Sequence, residues 1–309
     1  MGLDPEAQAY LDATAALGLP PISQQGHLEA RRVTIERASA LSGEPEPLAR
    51  VEDRSLPGPE GQVPVRIYAA AVGRPLPVAV FFHGGGWVTG NLDTHDGACR
   101  GLAARSGAMV VAVDFRSAPE HRFPAAVDDS WAVLEWLAER GAEIGADPSR
   151  IAVVGDSAGG NLAAVVALRA RERGGPRIAA QVLVYPVLDF DLETGSYLEK
   201  ANGYGLTRES MRWYWEQYVA GADPLHPEAS PLRATEHSGL PPALIITCEH
   251  DPLRDEGIAY AERLAGAGVP VEHVDEQGMI HGYFRMAGVI SRARKSWDDC
   301  ADFLRRELA

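Results

Sequence analysis

Gly155-Asp156-Ser157-Ala158-Gly159 follows the apolar run Ile151-Ala-Val-Val154 and precedes an amphipathic stretch, so it reads as a strand-to-helix turn. The pattern G-x-S-x-G in that setting is a nucleophile elbow. Its glycines are required because a turn this sharp leaves no room for flanking Cβ atoms, and the strain lifts the serine oxygen above the end of a sheet. A tight turn carrying an ordinary serine is the competing reading of the motif taken alone. A second signal, His83-Gly84-Gly85-Gly86, follows the apolar run Val78–Phe82. Consecutive glycines leave backbone N–H groups uncovered, free to point at a developing oxyanion. A phosphate loop is disfavoured, since neither G-x-x-x-x-G-K-[ST] nor G-x-G-x-x-G occurs.

A serine needs a base at neutral pH, and histidine is the usual one. Elbows of this kind are followed in chain order by an acid and then a histidine, each on a loop after a strand. His281, in Gln277-Gly-Met-Ile-His281-Gly282, meets that placement; His273 lies within the preceding strand and His250 precedes the acid. The acid comes from Thr247-Cys-Glu-His-Asp251-Pro-Leu-Arg-Asp255, where Asp251 sits at a strand exit and heads the next helix. Asp255 is its competitor, and a plain helix cap is the other reading of Asp251. No HExxH, H-x-H or Cys/His cluster offers a metal site, so no metal or cofactor is expected.

The elements that must hold these groups follow from periodicity. Val78–Phe82, Met109–Val113, Ile151–Val154, Val182–Tyr185 and Ala243–Thr247 are apolar on both faces, as buried parallel strands are. Between them lie segments of helical length near 95–106, 125–140, 158–173 and 253–267; a strand near 270–274 and a helix near 288–308 finish the pattern. This alternation predicts a parallel sheet with helices on both faces. Residues 49–56 and 63–69 alternate like half-exposed strands around the turn Pro57–Gly61. Two stretches fail the rule: the helical residues 1–45 and the insertion 189–225, whose aromatic helix carries Met211, Trp213, Tyr214, Trp215 and Tyr218. That helix is core packing or a lid.

Composition narrows the class. Twenty-nine basic against 43 acidic residues leave a net charge of −14, which repels phosphate backbones and argues against a nucleic-acid partner. Three well-separated cysteines, Cys99, Cys248 and Cys300, fit free thiols in a reducing compartment. No signal sequence and no membrane-spanning run is evident, so a cytoplasmic protein of one domain is expected.

In order, His83-Gly-Gly-Gly-Trp87, Asp114-Phe-Arg-Ser-Ala-Pro-Glu120, Gly155-Asp-Ser-Ala-Gly-Gly160, Asp251-Pro-Leu-Arg-Asp255 and His281-Gly282 resemble the hormone-sensitive-lipase-like carboxylesterases, over about residues 50–305. The resemblance implies an α/β-hydrolase fold with a mostly parallel eight-stranded sheet and a helical cap, here from about 1–45 and 189–225. It implies Ser157 as nucleophile, His281 as base and Asp251 as orienting acid. The N–H groups of Gly85, Gly86 and Ala158 would form the oxyanion hole, with Gly84 shaping the loop and His83 fixing it. Phe115, Ser117 and Tyr283 depart from the family's usual residues. By position alone, Trp87, Leu206, Met211 and Trp215 are substrate-pocket candidates. The implied reaction is hydrolysis of short- to medium-chain carboxylic esters. Lactones, amides and small acylated compounds are alternative substrates, and a homodimer is possible. Plant gibberellin receptors share the family's features but lack the histidine; His281 separates this chain from that non-catalytic reading.

Overall fold

A computed structural model describes residues 2–309. Ten helices and eight strands alternate along the described chain: α1 (Pro5–Ala15), α2 (Ile22–Gln25), α3 (His27–Ser42), β1 (Arg50–Gly58), β2 (Gly61–Ala69), β3 (Leu76–Phe82), α4 (Asp96–Ser106), β4 (Met109–Val113), α5 (Ala125–Arg140), β5 (Ala146–Asp156), α6 (Ala158–Arg173), β6 (Ala180–Val184), α7 (Gly195–Glu199), α8 (Arg208–Val219), β7 (Ala243–His250), α9 (Arg254–Gly266), β8 (Val271–Ile280) and α10 (Arg292–Glu307). The strands form one sheet in the order β1-β2-β4-β3-β5-β6-β7-β8. The β1–β2 and β2–β4 pairs are antiparallel; every pair from β4 to β8 is parallel. This is the α/β-hydrolase fold.

The period-2 geometry of a strand divides each apolar run between two cores. Val78, Val80 and Phe82 join Ile151 and Val153 on one face, under α5, α6 and α9. Ala79 and Phe81 join Ala152 and Val154 on the other, under α4 and α10. Both faces are therefore dry, which is why these strands show no polar alternation.

Several element ends differ from expectation. β1 and β2 extend into the expected Pro57–Gly61 turn, leaving Pro59-Glu60 as the connection. β8 runs to Ile280 rather than stopping near 274. Its central residues are polar because β8 is an edge strand paired only to β7, so apolar patterning under-reports it. Asp251 does not cap the following helix: α9 starts at Arg254 and Leu253 is its N-cap. Among the described residues, no helix is long and apolar enough to cross a membrane.

Candidate active site

β5 and α6 meet at the elbow, and glycine is required on both sides of the serine. A Cβ on Gly155 would lie 2.2 Å from the Gly159 carbonyl oxygen, and one on Gly159 would lie 1.9 Å from the Phe82 oxygen. Ser157 between them has φ +55° and ψ −120°, a region that L side chains rarely enter. Strain of this kind costs roughly 1–3 kcal/mol and persists only where the surroundings over-determine it. Here Ser157 N donates to Val184 O at 2.9 Å, while Ser157 O accepts from Asn161 N at 3.0 Å and Val187 N at 3.1 Å.

Two loops bring histidine and carboxylate to that oxygen. His281 follows β8, and its Nε2 lies 2.9 Å from Ser157 Oγ. Its Nδ1 lies 2.7 Å from Asp251 Oδ2. Asp251 is fully buried, and its other oxygen accepts from Leu253 N at 2.9 Å. The Tyr185 ring, 4.5 Å from the imidazole, supports it from the side. Ser157 is 7% exposed and the His281 side chain 11%, so both are largely covered yet retain some accessible surface. Asp255 takes no part in this chain; its Oδ2 accepts from Ser196 N at 2.8 Å and ties α7 to the acid loop.

The glycine loop after β3 lies opposite. Among the described residues, the N–H groups of Gly85, Gly86 and Ala158 donate to no protein acceptor. The Tyr214 ring rests on Gly86, where a Cβ would come within 2.1 Å of it. His83 Nδ1 is 2.9 Å from Gly84 O, and its ring stacks on Phe115 at 4.3 Å. Tyr283, another departure from the family pattern, places its hydroxyl 2.6 Å from Ser296 Oγ.

Sequence reasoning missed a buried network behind this loop. Asp156, the variable residue of the elbow motif, accepts from Gly84 N at 2.8 Å and lies 3.2 Å from His95 Nε2. Thr94 Oγ1 is 2.8 Å from His95 Nδ1, and the Tyr185 hydroxyl is 3.4 Å from Asp156. Burial pushes the Asp156 carboxyl up, but His95 and the Gly84 N–H outweigh it and hold the group ionised. Burial lowers His95 further than Asp156 raises it, so a neutral imidazole donates to the carboxylate. The motif showed an aspartate at 156; nothing in the sequence pointed to His95.

The pocket candidates behave differently from expectation. Trp87 stacks on Tyr218 at 4.0 Å and meets Trp215 at 4.9 Å. Trp87, Met211 and Trp215 are each at most 1% exposed, and only Leu206 retains accessible surface. Burial leaves three of the four with no face open to a substrate in this arrangement. A surface cavity of about 640 Å³ beside Leu232, His237 and Arg263 shares no residue with the serine cluster. Among the described residues, no group of three or more His, Cys, Asp or Glu gathers to hold a metal ion.

Residues 79–285 match a family described as alpha/beta hydrolase fold. The chain is 46% identical to Carboxylesterase NlhH of Mycobacterium tuberculosis over 285 residues, 89% of each chain. It is 38% identical to an Ethyl acetate hydrolase of Pseudomonas putida over 95% of each. The crystal structure of a thermostable esterase from Pseudomonas putida ECU1011 superposes with a TM-score of 0.96 at 39% identity, over 100% of this chain and 98% of the other. The chain is a carboxylic ester hydrolase and belongs to the hormone-sensitive-lipase-like carboxylesterases of the α/β-hydrolase superfamily.

Proposed function

We propose that this esterase works by acyl transfer through Ser157 and acts on short- to medium-chain carboxylic esters. One observation carries the reading: Asp251, His281 and Ser157 form a line of two contacts, 2.7 and 2.9 Å, beside three N–H groups that, among the described residues, have no acceptor. Ser157 attacks the ester carbonyl while His281 Nε2 takes its proton. Asp251 holds the Nδ1–H tautomer and stabilises the imidazolium that forms. The N–H groups of Gly85, Gly86 and Ala158 receive the oxyanion, each worth roughly 3–4 kcal/mol of barrier. His281 then protonates the leaving alcohol, and water repeats the cycle on the acyl-enzyme. The reading needs no cofactor.

Residues 1–45 and 189–225 serve as the cap in this reading. The aromatic packing of α8 against the glycine loop, Tyr214 on Gly86 and Trp215 on Trp87, supports short to medium acyl chains. The three cysteines, all buried and unpaired, are consistent with work in the cytoplasm.

The test is Ser157→Ala assayed on p-nitrophenyl esters from acetate to laurate. We expect kcat to fall about 10⁶-fold, as when a serine hydrolase loses its nucleophile. Wild-type turnover should peak at short or middle chain lengths. Near-native turnover by the variant would overturn the mechanism, and a peak at laurate would overturn the chain-length reading.

A further inference from the structure

The short helix α7 belongs to the insertion 189–225 and docks on the loop that carries Asp251. Thr194 caps it, its Oγ1 accepting from Tyr197 N at 3.4 Å. Gly195 allows the close approach, since a Cβ there would lie 3.0 Å from Asp255 Oδ2. Ser196 is buried and makes three hydrogen bonds to the acid loop. Its N donates to Asp255 Oδ2 at 2.8 Å, and its Oγ accepts from Asp255 N at 3.2 Å. Its Oγ also donates to Pro252 O at 2.6 Å.

The last of these bonds leads to the triad. Pro252 O and Leu253 N belong to one trans peptide group. Such a group is planar, so its C=O and N–H point in opposite directions and turn together. Leu253 N donates to Asp251 Oδ1 at 2.9 Å, and Asp251 Oδ2 lies 2.7 Å from His281 Nδ1. Among the described residues, no other donor reaches Pro252 O, and none but Leu253 N reaches Asp251 Oδ1. A buried carboxylate oxygen deprived of its donor is costly, so the direction of the Leu253 N–H selects the orientation of Asp251. An O–H on the carbonyl also polarises the peptide and strengthens its N–H as a donor. One run of hydrogen bonds therefore passes from the insertion to the nucleophile: Ser196, the 252–253 peptide, Asp251, His281, Ser157.

We propose that Ser196 is a positioning residue for the acid of the triad. By fixing the 252–253 peptide it aims the Leu253 N–H at Asp251 Oδ1 and keeps Oδ2 on the imidazole. The insertion thus orders the reacting groups as well as covering them. This rests on the acyl-transfer reading above and adds a residue to its machinery.

The test compares wild type, Ser196→Ala, Ser196→Thr and Asp255→Ala on p-nitrophenyl acetate. Proton NMR of the free proteins follows the low-field exchangeable signal of the His281 Nδ1–H, assigned by its loss in His281→Ala. We expect Ser196→Ala to lower kcat about tenfold with KM within about twofold, the mark of a misplaced reacting group. Its low-field signal should move upfield or broaden as Asp251 loosens. Ser196→Thr, which keeps the hydroxyl, should recover most of both. Asp255→Ala frees Ser196 N but leaves the hydroxyl on Pro252 O, so it should lose less kcat than Ser196→Ala. A Ser196→Ala signal unchanged from wild type overturns the inference whatever happens to kcat. So does a Ser196→Ala kcat within about twofold of wild type. An equal kcat loss in Asp255→Ala also overturns it, by assigning the effect to a loosened α7. The NMR signal needs no turnover, so it still decides whether Ser196 holds Asp251 should an active Ser157→Ala overturn the acyl-transfer reading.

Discussion

The elbow and the N-terminal segment sit on the same sheet but are held by different physics. Around Ser157 every neighbour is in contact: the residues from Ala158 to Ala170 of α6 are all buried, and backbone oxygens occupy the places where glycine Cβ atoms would be. In the N-terminal segment α1 buries only Ala7, and α3 only Ala30, Ala38 and Leu41. Leu17, Leu19, Leu28 and Ile35 remain exposed there. That segment is fastened mainly by polar links. Arg31 donates to Val88 O at 2.7 Å and Ala118 O at 2.8 Å and pairs with Glu120 at 2.7 Å; Glu6 accepts from Ser291 N at 2.7 Å. Close packing fixes geometry to tenths of an ångström, whereas a few polar links permit local opening at low free energy. The groups we propose to react belong to the first kind of region, and those we propose to control access to the second.

The contrast breaks most sharply at Gly159→Ala. The added methyl meets the Phe82 carbonyl, so the backbone of β3 or α6 must move. We expect kcat to fall at least 10²-fold, given how steeply rate depends on placement, and stability to drop by roughly 1–3 kcal/mol. Activity and urea unfolding measure both; a native-like kcat would show that the elbow tolerates slack.

Asp156→Ala tests whether the buried network positions the glycine loop. It removes the acceptor of Gly84 N and should lower kcat about 10²-fold with little change in KM, the signature of a displaced oxyanion donor. Asp156→Asn, which keeps an acceptor, should recover much of that loss. Equal loss in both would assign Asp156 to charge rather than to position.

Glu256 of α9 is buried, and its Oε1 accepts from Leu188 N at 3.1 Å. Burial pushes its carboxyl well above the ordinary range. The folded protein thus keeps a proton that the unfolded chain releases above its ordinary value of 4.5. The stability it contributes is complete below that value and is lost as pH rises towards the folded one. Glu256→Gln has no proton to lose, so it should gain on wild type as pH climbs, by at most about 1.4 kcal/mol per unit. Urea midpoints at pH 4.5 and 7.5 measure this; an unchanged difference would mean the carboxyl is ionised in place.

Arg31→Ala should have the smallest effect, about 1 kcal/mol of global stability, because Glu120 is 43% exposed and its ion pair is screened. Its mark should be local: faster proteolysis between residues 16 and 26 and a raised KM with kcat nearly kept. Unchanged proteolysis would show that apolar contacts, not this arginine, hold the segment.

Much of the architecture was legible because strands buried on both faces must be apolar throughout, and β3 to β7 were found from that alone. β8 was legible only in part, since an edge strand keeps its polar side chains. The elbow and the glycine loop were readable because backbone crowding demands glycine, and glycine runs are rare enough to notice. His95 left no such mark, since its place depends on a carboxylate 61 residues away. The aromatic residues of α8 were visible as a group, but whether they face a substrate or one another was not. In the fold Trp87 stacks on Tyr218 and packs at a tilt against Trp215.

The order of Ser157, Asp251 and His281 along the chain, and the loop each occupies, came from local rules: period, turn chemistry and glycine placement act over a few residues. That an imidazole 124 positions from the serine lies 2.9 Å from its oxygen was decided by the tertiary structure. Distances between remote loops depend on strand order and register, which no local pattern encodes.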